Sequence, residues 1–214
     1  RRDAEPPQQR IDPAAQGDLI NARLADPSAT HLLGTDHFAR DILSRMLYGA
    51  RVSLVVGRTV AALAVAHGLV IGLVAGYIRW LDGVFMRIMD GLMAIPPILL
   101  ALALVALWGA GLVTVILAVA IPEVPRVVRL VRSIVLSVRE EPYVEAAISV
   151  GTPVPLIMTR HILPNTIAPL IVQGTYVCAS AILVEAILSF LGVGIPTDIP
   201  TWGNIMAEGR LLFR

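Results

Sequence analysis

The stretch that decides the fold is EPYVEAAISVGTPVPLIMTRHILPN, residues 141–165, a polar interruption of an otherwise apolar second half. Pro142 suits the first turn of a helix, where its missing N–H costs nothing. Gly151 can end that helix in a left-handed conformation. Pro155 can open a second short helix, which Leu163-Pro164 is expected to end. The stretch predicts a helix, a glycine turn and a second helix between two membrane-like segments.

The composition indicates a membrane protein without a nucleotide site. Of 214 residues, 56% are hydrophobic and 15% charged, at a mean hydropathy of +0.75, whereas soluble domains carry roughly a quarter charged residues. The net charge of +1 gives no support for a nucleic-acid partner, and the single Cys178 excludes an intramolecular disulfide. All seventeen basic residues are arginine, so no GxxxxGK[ST] phosphate loop exists and any driving ATP must bind another chain.

Long apolar runs, separated by charged, glycine-containing or proline-containing segments, predict an all-α polytopic membrane protein. A bilayer requires roughly 20 apolar residues per helix. Four spans are predicted, at about residues 52–78, 88–108, 112–128 and 167–191. The remaining segments are predicted to be an extracytoplasmic polar segment over 1–36, an amphipathic interfacial helix over 37–51, a polar loop over 139–165 and an external loop over 192–214.

Small residues and prolines within the spans predict packing and bends. Gly68, Gly72 and Gly76 repeat along one face of the first span, where another helix can approach closely. Pro96 and Pro97 are expected to kink the second span. A kink suits a moving pathway wall and a static bundle equally, so both interpretations stay open. The run 122–125 is expected to interrupt the third span at its two prolines.

Two carboxylates, Asp90 and Glu185, lie inside predicted spans. Ionisable residues at membrane depth usually serve a pathway or pair with another charge. Asp90 and Glu185 therefore either face a solute pathway, together with Pro96 and Pro97, or form buried pairs with arginine. The sequence does not choose between these roles.

Arginine counting gives the orientation. The loops at 79–87 and 126–164 hold seven arginines, and the turn at 109–111 holds none. By the positive-inside rule the arginine-rich loops, including residues 141–165, are predicted to be cytoplasmic.

The motif residues resemble the EAA loop of ABC-importer permeases. Glu145, Ala146 and Ala147 are followed four residues later by Gly151, and the motif closes on Ile162, Leu163 and Pro164. GTDHFARD (34–41), SFLGVG (189–194) and WGNIMAEG (202–209) are similar to segments of the C-type subunit of dipeptide, oligopeptide or nickel importers. The resemblance runs from about Leu32 to the last residue. It implies a type I, MetI-like permease bundle in the inner membrane of a prokaryote. Six spans are usual there, so the chain is expected to be a fragment.

The resemblance also implies partners. These are a homologous B-type permease subunit, two ATP-binding subunits and an external solute-binding protein, with the EAA-loop residues seated in the ATPase. His31–Asp36 and Pro196–Glu208 are candidate contacts for the binding protein. No catalytic residue, metal or cofactor is implied in the chain itself. Pro153 and Pro155 depart from the usual pattern, which leaves the docking geometry of the second helix open.

Other classes of protein are less consistent with the sequence. An intramembrane enzyme would need a catalytic pair, and the chain has no GxSxG or HExxH motif. An ATP-independent channel or secondary transporter would have no reason to carry a helix–glycine–helix platform. A generic interfacial helix remains an alternative for the loop alone, because alanine and glycine are common.

Overall fold

The computed structural model describes residues 22–210, and the regular secondary structure of that range is helical, with a single β-bridge between Thr35 and Asp41 and with turns and loops between the helices. The elements are α1 (Ile42–Tyr77), α2 (Arg79–Ala94), α3 (Pro97–Trp108), α4 (Leu112–Val138), α5 (Pro142–Ser149), α6 (Val154–Ile157), a π-helical turn (Met158–Ile162), α7 (Leu163–Phe190) and α8 (Trp202–Arg210). Residues 1–21 of the predicted extracytoplasmic segment and 211–214 of the predicted external loop lie outside the described residues.

Helix α1 replaces two predicted elements. It begins after Asp41, whose carboxylate caps it by accepting the N–H of Ser44 at 2.8 Å. It then continues for 36 residues without a break at 51–52, because no proline or left-handed glycine lies there. The prediction of a separate interfacial helix over 37–51 is therefore wrong: its residues from Ile42 onward are the first turns of α1. Arg45 and Gly49 in those turns are buried.

Helices α1 and α4 form the most extensive helix contact in the described part of the chain. Gly68, Gly72 and Gly76 of α1 lie there, against three valines of α4: Val127, Val131 and Val135. A Cβ added to these glycines would lie 2.4 to 2.7 Å from the Cβ of the facing valine. The two backbones therefore approach to a distance that only glycine permits.

The second predicted span is broken at its prolines. Helix α2 ends at Ala94, α3 begins at Pro97, and the two helices are bent by 88°. Ile95 and Pro96 between them are extended, as expected for residues that precede a proline. The expected loop at 79–87 is helical instead, because its polar residues fall on one side of the amphipathic helix α2.

Helix α4 is not interrupted at 122–125, contrary to the sequence prediction. It runs over 27 residues with Pro122 and Pro125 inside it. An internal proline costs about 3 kcal/mol in an exposed helix, but both prolines are buried here. Packing against the neighbouring helices offsets the lost hydrogen bonds, so the expectation that an internal proline breaks the helix does not hold for α4.

Length and hydropathy identify two helical segments of the described range as able to cross a membrane, α1 and the 37-residue segment Val154–Phe190. The bent pair of α2 and α3 makes a third if it counts as one span. Helix α4 is not among them, because Glu123, Arg126 and Arg129 interrupt its apolar sequence. The four spans expected from the sequence are thus two or three by this measure, with α4 packed along α1.

Candidate functional site: the α5 loop and the polar clusters of the bundle

Helix α5 is a short helix with a glycine stop. Pro142 occupies its first turn after the extended residue Glu141. Its end is a Schellman motif: Gly151 has φ +81° and donates its N–H to Ile148 at 2.9 Å, and Thr152 donates to Ala147 at 3.1 Å. A residue with a Cβ would be strained at position 151, so this turn depends on glycine.

The second helix of the loop continues directly into α7. Pro153 precedes α6, Pro155 lies in its first turn, and the π-helical turn joins α6 to α7. The expectation that Leu163-Pro164 ends this helix is wrong. Pro164 lies in the first turn of α7, and the N–H of Leu163 reaches the carbonyl of Met158 instead of residue 159. This shift in hydrogen bonding accommodates the missing N–H of Pro164. Residues 154–190 therefore form one continuous helical segment.

The residues predicted to couple to an ATPase divide into two groups. Glu145, Ala146, Gly151 and Pro164 are exposed, and Leu163 is half-buried. Ala147 and Ile162 are buried, so their side chains anchor the loop to the chain's own interior and do not point to an outside groove. Val144 of α5 and Ile157 of α6 are buried in the same hydrophobic core as Ile162.

Exposed apolar side chains surround the exposed motif residues. Val150 is 82% exposed, and four more apolar side chains are also exposed: Tyr143, Ile148, Val154 and Leu156. We call these five residues together with Glu145, Ala146 and Gly151 the α5 surface. Asn165 braces it, donating its amide to the Tyr143 hydroxyl at 3.2 Å and to the carbonyl of His161 at 2.6 Å. Sequence reasoning missed these apolar residues, although their position in a polar loop was a usable signal.

The pathway candidates lie in separate places. Asp90 is 61% exposed at the side chain and pairs with Arg129 of α4. One helix turn further along α4, Arg132 pairs with Asp82, with Nη2 2.7 Å from Oδ2. These two ion pairs tie α2 to α4. Pro96 and Pro97 form the corner between α2 and α3.

Glu185, the fourth pathway candidate, is fully buried. Its carboxylate accepts hydrogen bonds from Ser53 of α1 at 3.2 Å and from Ser189 at 2.8 Å. Among the described residues it has no arginine partner. Ser189 also accepts the N–H of Ile195 at 3.3 Å, so Glu185 joins α1 and α7 to the segment that follows α7.

A buried charge cluster lies at the start of α1. Arg45, which is 3% exposed, donates to Asp36 at 2.6 Å and to Glu208 of α8 at 3.1 Å. Arg40 contacts the same two carboxylates at 2.7 and 2.8 Å. Burial alone would raise the pKa of Asp36, but hydrogen bonds from Arg40, Arg45 and the N–H of Phe38 outweigh it and hold that pKa below its ordinary value. We call Asp36, Arg40, Arg45 and Glu208 the α8 clamp.

The α8 clamp joins two segments that sequence reasoning singled out separately, His31–Asp36 and Pro196–Glu208. The loop before α8 is held by Asn204, whose amide donates to the carbonyls of Ile195, Pro196 and Ile199 at 3.0 to 3.1 Å. No sequence signal pairs residues that lie 163 positions apart, as Arg45 and Glu208 do.

Comparison with known proteins shows the family of this chain. Residues 68–213 match the family described as binding-protein-dependent transport system inner membrane component. That range covers more than half of the chain, and the chain belongs to this family. The bundle is therefore that of an all-α inner-membrane transport component, as the motif residues implied.

Several named relatives are similar to this chain over most of its length. A probable peptide ABC transporter permease protein of Sinorhizobium fredii is 57% identical over 88% of this chain and 65% of its own length. A dipeptide transport system permease protein of Alkalihalophilus pseudofirmus is 47% identical over 88% and 62% of the two chains. A glutathione transport system permease protein of Pectobacterium atrosepticum is 42% identical over 86% and 62%. The chain spans slightly less than two thirds of the length of these relatives.

Proposed function

We propose that the chain is part of a permease subunit of a binding-protein-dependent ABC importer for peptides or related small solutes. The membership in the inner-membrane component family and the peptide, dipeptide and glutathione names of its relatives support this proposal. The absence of lysine from the sequence supports ATP hydrolysis on a separate chain. We further propose a homologous permease subunit, two ATP-binding subunits and an external solute-binding protein as partners.

The observation that carries the proposal is the α5 surface and its connection to α7. An exposed apolar patch with small residues on a short helix is the kind of surface that a partner protein covers. Because α6, the π-helical turn and α7 are continuous, a push on this surface would be transmitted along a helix of 37 residues. ATPase closure would then move α7 as a rigid body and open the pathway alternately to each side. The arginine distribution of the sequence supports a cytoplasmic position for this surface.

Replacement of Gly151 with valine tests this coupling. A residue with a Cβ adopts the left-handed conformation at position 151 at a cost of about 1–2 kcal/mol. The turn should therefore rearrange, and α5 should shift relative to α6. We expect solute uptake per ATP hydrolysed by the full-length reconstituted importer to fall about tenfold, the change that 1.4 kcal/mol produces. The measurement is uptake and ATPase activity in the same proteoliposomes. Glu145→Lys, which reverses an exposed charge on α5, should lower the same ratio.

Gly109→Val is the matched control. Gly109 has φ +86° and ψ 162°, a conformation open essentially to glycine alone, so the substitution imposes at least as much strain, but it lies in the turn between α3 and α4. This variant should keep its ratio of uptake to hydrolysis. Unchanged coupling in both Gly151→Val and Glu145→Lys would contradict the transmission of ATPase closure through α7, and uptake by the unaltered protein without any ATPase subunit would favour the channel or secondary transporter.

A further inference from the structure

A mixed-charge face lies between α4 and α7, away from the α5 surface and the α8 clamp. Glu123 of α4 accepts the hydroxyl of Ser180 of α7 at 3.2 Å. Arg126 of α4 approaches the same carboxylate with Nη1 at 3.4 and 3.5 Å. Its guanidinium lies 6.0 Å from the ring centre of Tyr176 of α7. We call Glu123, Arg126, Tyr176 and Ser180 the α4–α7 polar face.

The lengths of the packed helices favour a position of this face at membrane depth. Helix α7 is about 42 Å long at 1.5 Å per residue, and Tyr176 lies near its middle. On α4, Arg126 is next to Val127, which packs against Gly68 of the spanning helix α1. A hydrocarbon layer about 30 Å thick centred on the middle of α7 would include both halves of the face. Arg126, which arginine counting assigned to the cytoplasmic loop 126–164, would then lie inside this layer, because α4 continues through that position. Ionisable groups at that depth face a water-filled cavity or another protein chain and not lipid.

Arg126 differs from the next two arginines of α4. Arg129 and Arg132 pair with Asp90 and Asp82 of α2. Arg126 reaches a carboxylate only at 3.4 Å, its side chain is 35% exposed, and the Glu123 side chain is 4% exposed. Among the described residues its Nε and Nη2 contact no acceptor. Most of its five hydrogen-bond donors thus remain available to something outside this chain.

We propose that the α4–α7 polar face lines the solute pathway and that Arg126 contacts the carboxylate end of a peptide solute. The inference rests on the proposed function. A guanidinium binds a carboxylate through two parallel N–H donors, and a peptide with a free C-terminus carries that group. Glu123, whose side chain is 4% exposed, positions Arg126. The long contact between Glu123 and Arg126 leaves the guanidinium able to bind a solute without breaking a tight ion pair.

Water accessibility tests the position of this face. In full-length protein with Cys178→Ser, which removes the cysteine of the described chain, Tyr176→Cys and Ser180→Cys should react with a membrane-impermeant thiol reagent in the assembled importer. Ile171→Cys is the control, because Ile171 is 63% exposed on the opposite flank of α7, in an apolar groove with Ala61, Val65 and Leu69 of α1. We expect at least about tenfold faster labelling of the first two variants than of the control, since thiolate formation requires water. Equal rates would overturn the position.

Uptake kinetics test the recognition of charge. With radiolabelled dialanine in the reconstituted importer, Arg126→Gln should raise KM about tenfold, the loss expected for a charge-assisted contact, and Arg126→Lys should restore part of it. Arg129→Gln is the control, because it removes the same charge one turn away, where Asp90 neutralises it. Equal KM values for Arg126→Gln and Arg129→Gln would overturn the proposal. Failure of the unaltered importer to take up dialanine with ATP would instead count against the proposed function.

Discussion

Replacing Arg45 with methionine is expected to lower the free energy of unfolding by about 3–5 kcal/mol, the usual cost of removing one partner of a buried ion pair. Methionine keeps most of the apolar stem but removes the guanidinium that both Asp36 and Glu208 share. The two carboxylates are 11% and 14% exposed, so water does not replace the lost charge fully. Arg40 remains as the only other cation that contacts both carboxylates among the described residues. Thermal unfolding of the purified protein in detergent measures the effect.

Two further variants separate charge from packing at the α8 clamp. Arg51→Met is the control, because Arg51 is exposed on the same helix, and it should change the unfolding temperature little. Adding Glu208→Gln to Arg45→Met should recover part of the loss, because it removes the uncompensated carboxylate and leaves Arg40 paired with Asp36. If Arg45→Met unfolds at the same temperature as Arg51→Met, the clamp does not stabilise the fold.

Gly72→Ala should cost about 1–3 kcal/mol, the range for overpacking a tight interior. The new Cβ would lie 2.6 Å from the Cβ of Val131 and 2.9 Å from the carbonyl oxygen of Val128. The second of these is backbone, which cannot turn aside as a side chain can. Helices α1 and α4 must therefore move apart, and the unfolding temperature in detergent should fall.

Gly91→Ala serves as the matched control for the helix contact. Gly91 is also helical, but a Cβ there has nothing within 4 Å. Alanine should be neutral or should stabilise the helix by up to about 1 kcal/mol through its higher helix propensity. An unfolding temperature that changes equally in Gly72→Ala and Gly91→Ala would contradict the close approach of α1 and α4.

The prolines show how far the sequence could predict the fold. Pro96-Pro97 breaks its helix because two successive prolines remove two donors and hold Ile95 extended. Pro122 and Pro125 leave α4 intact because their burial offsets the missing hydrogen bonds. The residue type is the same in both cases, and only tertiary packing separates them. Local rules therefore identified these two proline pairs as possible bends and could not choose between them.

In the candidate site, too, some features follow from the local sequence, and others depend on contacts between residues far apart in the chain. The turn at Gly151 follows from its own sequence, because a glycine after a short helix predicts a left-handed stop. The inward positions of Ala147 and Ile162 do not follow, since they depend on how α5 packs on the bundle. The α8 clamp and the α4–α7 polar face join residues 163 and 57 positions apart. No local pattern encodes such contacts.

Cysteine cross-linking from two adjacent positions of α5 tests the central claim most directly. Ala146 is exposed on the α5 surface and Ala147 is buried, so the pair differs in direction and hardly in sequence. In full-length protein carrying Cys178→Ser and assembled with its ATP-binding subunits, Ala146→Cys should cross-link to an ATP-binding subunit through a short bifunctional thiol reagent. Ala147→Cys should give little or no product. Equal cross-linking from both positions, or none from Ala146→Cys in an importer that still transports, would contradict the docking of the α5 surface on the ATPase.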